Sequence, residues 1–194
     1  SFDPVWHFPK KDAAPVRVQE DPCLRNMIFG LGMVELISYW KIACPPQVRV
    51  TAGTLTEAQI RWWKELYYLG LGEFFYTNRI ETDPESFMEL TGGAPEAGTQ
   101  APPPAALNGC LIPVGGGKDS ACTIELLKKS GYPLKTFIIN PRGATLKTVE
   151  AAGLSTADSI HVRRTLDERM LALNREGYLN GHTPFSALVA FASL

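Results

Sequence analysis

The stretch PVGGGKDS (Pro113–Ser120) limits what this chain can fold into more than any other. A short apolar run, CLIPV (Cys110–Val114), leads into three glycines, and a helical pattern starts near Asp119. An apolar run this short, bounded by turn residues, reads as a buried strand. The glycines then set bare backbone amides at a helix start, at the carboxyl end of the strand. Unpaired N–H groups and the helix dipole both favour an anion there. A side chain in the turn would block a phosphate, and such turns often need positive φ. Lys118 adds a positive charge and Ser120 a hydroxyl donor. Asp119 is out of place beside phosphates unless a divalent metal bridges it to them.

Two familiar phosphate motifs do not fit. The Walker loop requires Ser or Thr directly after its lysine, and Lys118 is followed by Asp119. The dinucleotide pattern G-x-G-x-x-G fails because Lys118, Asp119 and Ser120 stand where its last glycines belong.

The region around this turn alternates. KTFIIN (Lys135–Asn140) and SIHVRR (Ser159–Arg164) read as further strands. Helical patterns follow each strand, over Asp119–Ser130, over Thr145–Ala152 and from Thr165 onward. A last helix opens with Thr183 as cap and Pro184 at its first position. Strand and helix in regular alternation predict a parallel α/β sheet. In such a sheet ligands sit at the carboxyl ends of the strands. That makes Arg163 and Arg164, closing the third strand, candidates to bind an acidic substrate or phosphates. Asn140 and Arg142 follow the second strand. Gly181 and His182 stand just before the last helix, where an imidazole can touch a phosphate or move a proton. His161 lies within a strand and reads as packed.

Residues 1–90 predict a smaller, mainly helical N-terminal region. Asp21 caps a first helix with Pro22 at its first position, and Pro45 and Pro46 stop it. QVRVT (Gln47–Thr51) suits a short strand. Thr54 and Glu57 form a capping-box pattern before a second helix. EFFYTN (Glu73–Asn78) fits a strand or a helix end, and the pair Trp62–Trp63 reads as core. The segment from 91 to 107 is rich in Gly, Pro and Ala and predicts a linker. Residues 108–194 form the phosphate-binding unit. The start at Ser1 and the stop at Leu194, inside an apolar stretch, predict a segment of a longer protein.

Composition excludes some functions. The formal net charge is -1, so no strongly basic field awaits a long nucleic acid. No run of about 18 apolar residues is present, so no membrane span is expected. Cys23, Cys44, Cys110 and Cys122 lack zinc spacing and predict buried, reduced thiols of a cytoplasmic protein.

The run Gly115–Ser120 resembles the S-G-G-x-D-S loop of the PP-loop ATP pyrophosphatase superfamily, with Gly115 in place of the serine and one hydroxyl donor lost. The resemblance implies an ATP site of adenine nucleotide alpha hydrolase-like fold. Gly115, Gly116, Gly117, Lys118 and Ser120 would hold the leaving pyrophosphate, Asp119 would hold Mg²⁺, and Asn140 and Arg142 would lie near adenine and ribose. Gly181 would face the ATP.

Further stretches carry a narrower likeness: LRNMIFGLGMVELISYWK (Leu24–Lys41), GLGEFFYTN (Gly70–Asn78) and NREGYLNGHTPFSA (Asn174–Ala187). With the loop, they resemble the family of ATP-dependent UDP-N-acetylmuramoyl-L-alanyl-L-glutamate epimerases of peptidoglycan synthesis. The resemblance implies adenylation of the terminal glutamate of the UDP-N-acetylmuramoyl dipeptide, followed by inversion at Cα and release of AMP. His182, Lys118 and Asp119 are the candidate catalytic residues, with His182 the first choice of base, and Arg142, Arg163 and Arg164 the substrate contacts. Two other readings stay open: another AMP-forming ligase or tRNA-modifying enzyme, and a non-catalytic nucleotide-binding module.

Overall fold

The computed structural model describes residues 1–9, 18, 20–93 and 108–194. Its centre is a four-stranded sheet whose order is β1 (Val5–His7), β6 (Ile160–Thr165), β5 (Leu134–Ile139), β4 (Cys110–Pro113). Strands β4, β5 and β6 run parallel, as the alternating pattern predicts. Strand β1 pairs antiparallel with β6, setting Val5 opposite Thr165 and His7 opposite Arg163. The sheet is therefore mixed. This N-terminal strand is not legible in the sequence, since three residues are too few for a period.

Helices α4 (Lys118–Lys128), α5 (Gly143–Ala151) and α6 (Glu168–Arg175) connect and follow the parallel strands. Strand β5 is buried on both faces over Thr136–Ile138, which suits its apolar end, Phe137–Ile139. Neighbouring side chains on it point to opposite sides. Ile138 packs with Ile112, Val114, Ile124 and Val149, and Phe137 packs with Val162 in a second cluster on the other face.

That second cluster is the larger core, and it draws on both sides of the 91–107 segment. It joins Phe137, Val162, Leu188 and Ala192 to Val34, Ile37, Trp40, Tyr67 and Phe74. Helix α1 (Pro22–Trp40) crosses α7 (Phe185–Ala192) closely enough that a Cβ on Gly30 would lie 2.8 Å from the Phe191 ring. Asp21 caps α1 as predicted, accepting from the amides of Cys23 and Leu24 at 2.9 and 3.0 Å. Helices α2 (Glu57–Gly70) and α3 (Gly72–Thr77) follow β2 (Gln47–Thr54), which pairs in parallel with β3 (Glu89–Gly93). Residues 91–93 of the expected linker thus belong to a strand, and the remainder of that linker, 94–107, lies outside the described residues.

Several boundaries differ from expectation. The box that starts α2 is Thr56 with Gln59 rather than Thr54 with Glu57, because β2 continues through Thr54. Asp167, not Thr165, caps α6, since Thr165 still pairs in the sheet. EFFYTN falls mostly in helix α3. Trp63 is core, whereas Trp62 is 48% exposed. Cys122 is exposed on α4 rather than buried; Cys23, Cys44 and Cys110 are half-buried, and all four thiols are free. Among the described residues no helix is long and apolar enough to cross a membrane.

Candidate active site

The glycine turn lies between β4 and α4. Gly116 takes φ +83°, and a Cβ there would sit 3.0 Å from the backbone of Ala144 and Thr145 at the start of α5. Glycine is therefore required by both conformation and space. The Gly115 amide donates to Ser120 Oγ at 3.0 Å, which draws the turn tight and leaves the hydroxyl proton free to donate outward. No side chain caps α4, whose preceding residue is Gly117. Lys118 and Asp119 stand exposed in its first turn. The helix start thus keeps the amide-rich, cation-bearing character that the sequence predicts. Among the described residues no three His, Cys, Asp or Glu side chains converge as a metal site.

A cleft of about 840 Å³ opens at the carboxyl ends of β4, β5 and β6. Its lining includes Gly115, Asn140, Arg142, Arg163, Arg164 and, from α7, Phe185. Among its described lining residues are three arginines and no carboxylate. Apolar side chains of β5, α6 and α7 form its other walls. A second cleft of about 770 Å³, between β1 and α1, is chiefly apolar, and among its described lining residues Glu35 is the one charged group.

Not every predicted ligand is available. Asn140, at φ +51°, has its side-chain amide paired with the backbone of Arg164: Nδ2 donates to the carbonyl at 2.9 Å and Oδ1 accepts from the amide at 2.8 Å. It clamps β5 to β6 beyond the ladder. Arg164 is held as firmly. Its guanidinium, 12% exposed, forms a two-pronged ion pair with buried Glu35 of α1 at 2.9 and 2.7 Å, and donates to Ser38 Oγ at 3.0 Å. Trp6 Nε1 donates to the same carboxylate at 3.0 Å. Asn140 and Arg164 therefore build the wall of the cleft, while Arg142 and Arg163 are exposed. Neither commitment is visible in the sequence, because each partner is remote in the chain.

Gly181 and His182 do not line this cleft. They stand beside α3, where His182 Nδ1 meets Glu73 Oε1 at 2.6 Å, with both side chains more than half exposed. The His182 side chain is 74% exposed. A histidine with one ring nitrogen on a carboxylate is oriented for proton transfer through the other. Beneath the turn lies Lys41, a residue that sequence reasoning passed over. It follows α1, is 3% exposed, and donates to the Gly181 carbonyl and to Thr183 Oγ1, the latter at 2.9 Å. Burial, then repulsion from Arg164, lowers its pKa to about 8. The hydroxyl predicted to cap α7 is thus spent on Lys41, and α7 starts after Pro184 without a side-chain cap.

The profile of the family described as the MurL N-terminal domain matches residues 1–194. The chain belongs to the MurL N-terminal domain family. Three curated relatives, each named UDP-N-acetyl-alpha-D-muramoyl-L-alanyl-L-glutamate epimerase, are similar to it. The relative from Micromonospora sp. is 34% identical over 85% of this chain and 36% of its own length. Those from Xanthomonas oryzae pv. oryzae and Salinispora tropica are 29% and 27% identical, over 88% and 91% of this chain and 35% and 37% of theirs. The chain thus spans little more than a third of the length of the curated relatives it matches. No solved structure was found to match it. This member of the family is an α/β unit with a mixed sheet and a cleft at the strand ends.

Proposed function

We propose that this chain is the nucleotide-binding part of an epimerase that inverts the terminal L-glutamate of UDP-N-acetylmuramoyl-L-alanyl-L-glutamate at the expense of ATP. The carrying observation is the cleft beside the glycine turn, where Arg142 and Arg163 stand exposed, Arg164 is held by Glu35, and no carboxylate is among the described lining residues. Both reactants are polyanions, and such a lining attracts them and repels nothing they carry. The names of the relatives supply the substrate, and the likeness of Gly115–Ser120 to the PP-loop supplies ATP.

The chemistry has a physical logic. The Cα–H beside an ionised carboxylate is very weakly acidic, since its loss would gather two negative charges. Attack of a carboxylate oxygen on the α-phosphorus forms an acyl-adenylate and expels pyrophosphate, which removes that charge. A base then takes the Cα proton, return of a proton to the opposite face gives the D-centre, and water releases AMP. In this chain Lys118, the turn amides of Gly116 and Gly117 and the Ser120 hydroxyl would hold the leaving pyrophosphate. Mg²⁺, held by Asp119, would neutralise phosphate charge. Arg142 and Arg163, exposed and uncommitted, suit the carboxylates and phosphates of the muramoyl substrate. Asn140 and Arg164 shape the cleft. His182, oriented by Glu73, would carry the proton, which requires the glutamyl end to extend past Phe185 along the start of α7.

The test uses the full-length protein with ATP and the dipeptide nucleotide. AMP, pyrophosphate and the dipeptide nucleotide with a D-glutamyl end are expected in equal amounts, each lost in Lys118→Ala and Asp119→Ala. Amide formation would indicate a ligase instead, and nucleotide binding without AMP release would indicate a non-catalytic module.

A further inference from the structure

Lys41 is an expensive residue to keep. It is buried at 3% exposure, and among the described residues no carboxylate pairs with it. The nearby acid, Glu35, is already held by Arg164 and Trp6. Glu35, Arg164 and Lys41 together leave the interior one positive charge in excess. A buried cation without a counter-ion is strongly disfavoured, and an apolar side chain there would be easier to accommodate. The ammonium is drawn below its usual pKa accordingly. What it does in return is specific. Both of its hydrogen bonds go to one short segment, the Gly181 carbonyl and the Thr183 hydroxyl, on either side of His182. Ser38, one turn earlier on α1, donates to the same Thr183 hydroxyl at 3.5 Å and accepts from Arg164 at 3.0 Å. Asn78 of α3's end adds a bond to the Asn180 carbonyl at 3.0 Å. The backbone on both sides of His182 is thus fixed from below by α1, while Glu73 fixes the ring from the side.

We propose that Lys41 is a positioning residue for His182: it anchors the Gly181–Thr183 turn so that the imidazole, steered by Glu73, is held for proton transfer at the start of α7. This rests on the reading of His182 given above. Lys41 does not meet substrate, and its action is through the turn. Removing it frees the turn without touching the phosphate loop or the exposed arginines, so turnover falls while binding of both reactants is kept.

The test compares full-length wild type with Lys41→Met, Thr183→Val and Thr183→Ser. In Lys41→Met and Thr183→Val, kcat for epimerisation is expected to fall by about tenfold or more, with KM for ATP and for the dipeptide nucleotide changed by less than about threefold. Thr183→Ser keeps the hydroxyl and is expected to restore kcat to within about twofold of wild type. Trypsin cleavage after Arg175, just ahead of the turn, supplies a readout independent of activity. It is expected to quicken about fivefold in Lys41→Met and Thr183→Val, with far-UV circular dichroism unchanged. Unchanged kcat with unchanged cleavage overturns the proposal, as does a rise in both KM values at constant kcat. A wild-type protein that releases no AMP sinks the reading of function instead, and the trypsin comparison then still decides whether Lys41 holds the turn.

Discussion

Gly116 is the residue at which the phosphate turn is least forgiving. Its φ of +83° and the 3.0 Å approach to the backbone of Ala144 and Thr145 oppose any side chain. Gly116→Ala should destabilise the protein by about 1–2 kcal/mol and weaken ATP binding by about tenfold or more, read by urea unfolding and calorimetry. Gly117 has an ordinary φ of −101° and open space around its Cα. Gly117→Ala should leave stability within about 0.5 kcal/mol of wild type. Lys41 makes a prediction of a different kind. Its pKa falls from 10.5 to about 8 on folding, so between those values the unfolded chain holds the proton that the folded chain has released. The charged form is penalised in full below pH 8, and the penalty is relieved as pH climbs toward 10.5. Stability should therefore rise by about 1 kcal/mol from pH 7 to pH 9, and Lys41→Met should flatten the curve. Burial raises the Cys44 thiol, whose ordinary value is 9.0, so it contributes with opposite sign near the top of that window. Of these two residues the sequence revealed only the glycine. A turn residue announces itself through its neighbours in the chain, whereas a buried lysine looks like any other lysine until the chain folds over it.

The element-scale question is what ties α1 to the sheet. Apolar packing does most of it, and the Glu35–Arg164 pair with Ser38 and Trp6 fixes the angle. Breaking one side of a buried pair strands the other charge. Arg164→Met and Glu35→Leu should each destabilise by about 3–5 kcal/mol, while the double variant should regain much of that loss. Chemical denaturation of the three variants checks this, and additive losses would show that the two side chains do not act together. The helices other than α3 and the three parallel strands of the main sheet were legible in the sequence to within a few residues, because caps, glycines and apolar periods are local signals. Strands β1 and β3 were not. Both are short, and each exists because a partner far along the chain supplies its hydrogen bonds.

For the molecule as a whole, one large core unites α1, α2 and α3 with α7 and one face of the main sheet. The protein should unfold as one unit. Its four tryptophans, Trp6, Trp40, Trp62 and Trp63, all lie in the first third of the chain, so their fluorescence reports that part while far-UV circular dichroism reports all of it. Coincident urea midpoints are expected, and a separation of the two curves would mean that the halves fold independently. The near-neutral net charge of -1 conceals a cleft whose charged lining, among the described residues, is all arginine. ATP binding should accordingly weaken as salt rises from about 50 to 500 mM, and Arg142→Ala and Arg163→Ala should each reduce affinity for the anionic ligands by about five- to tenfold.

The glycine turn, the parallel strands behind it and the cation that follows it are all written locally in the chain, because they depend on backbone conformation and on neighbours a few residues away. Which polar side chains stay free is settled only when the chain folds. Arg163 and Arg164 are adjacent and chemically identical, yet alternation along β6 leaves the first exposed and turns the second onto Glu35 of α1. A residue's role at the cleft depends on which groups reach it first, and those groups arrive from distant parts of the chain.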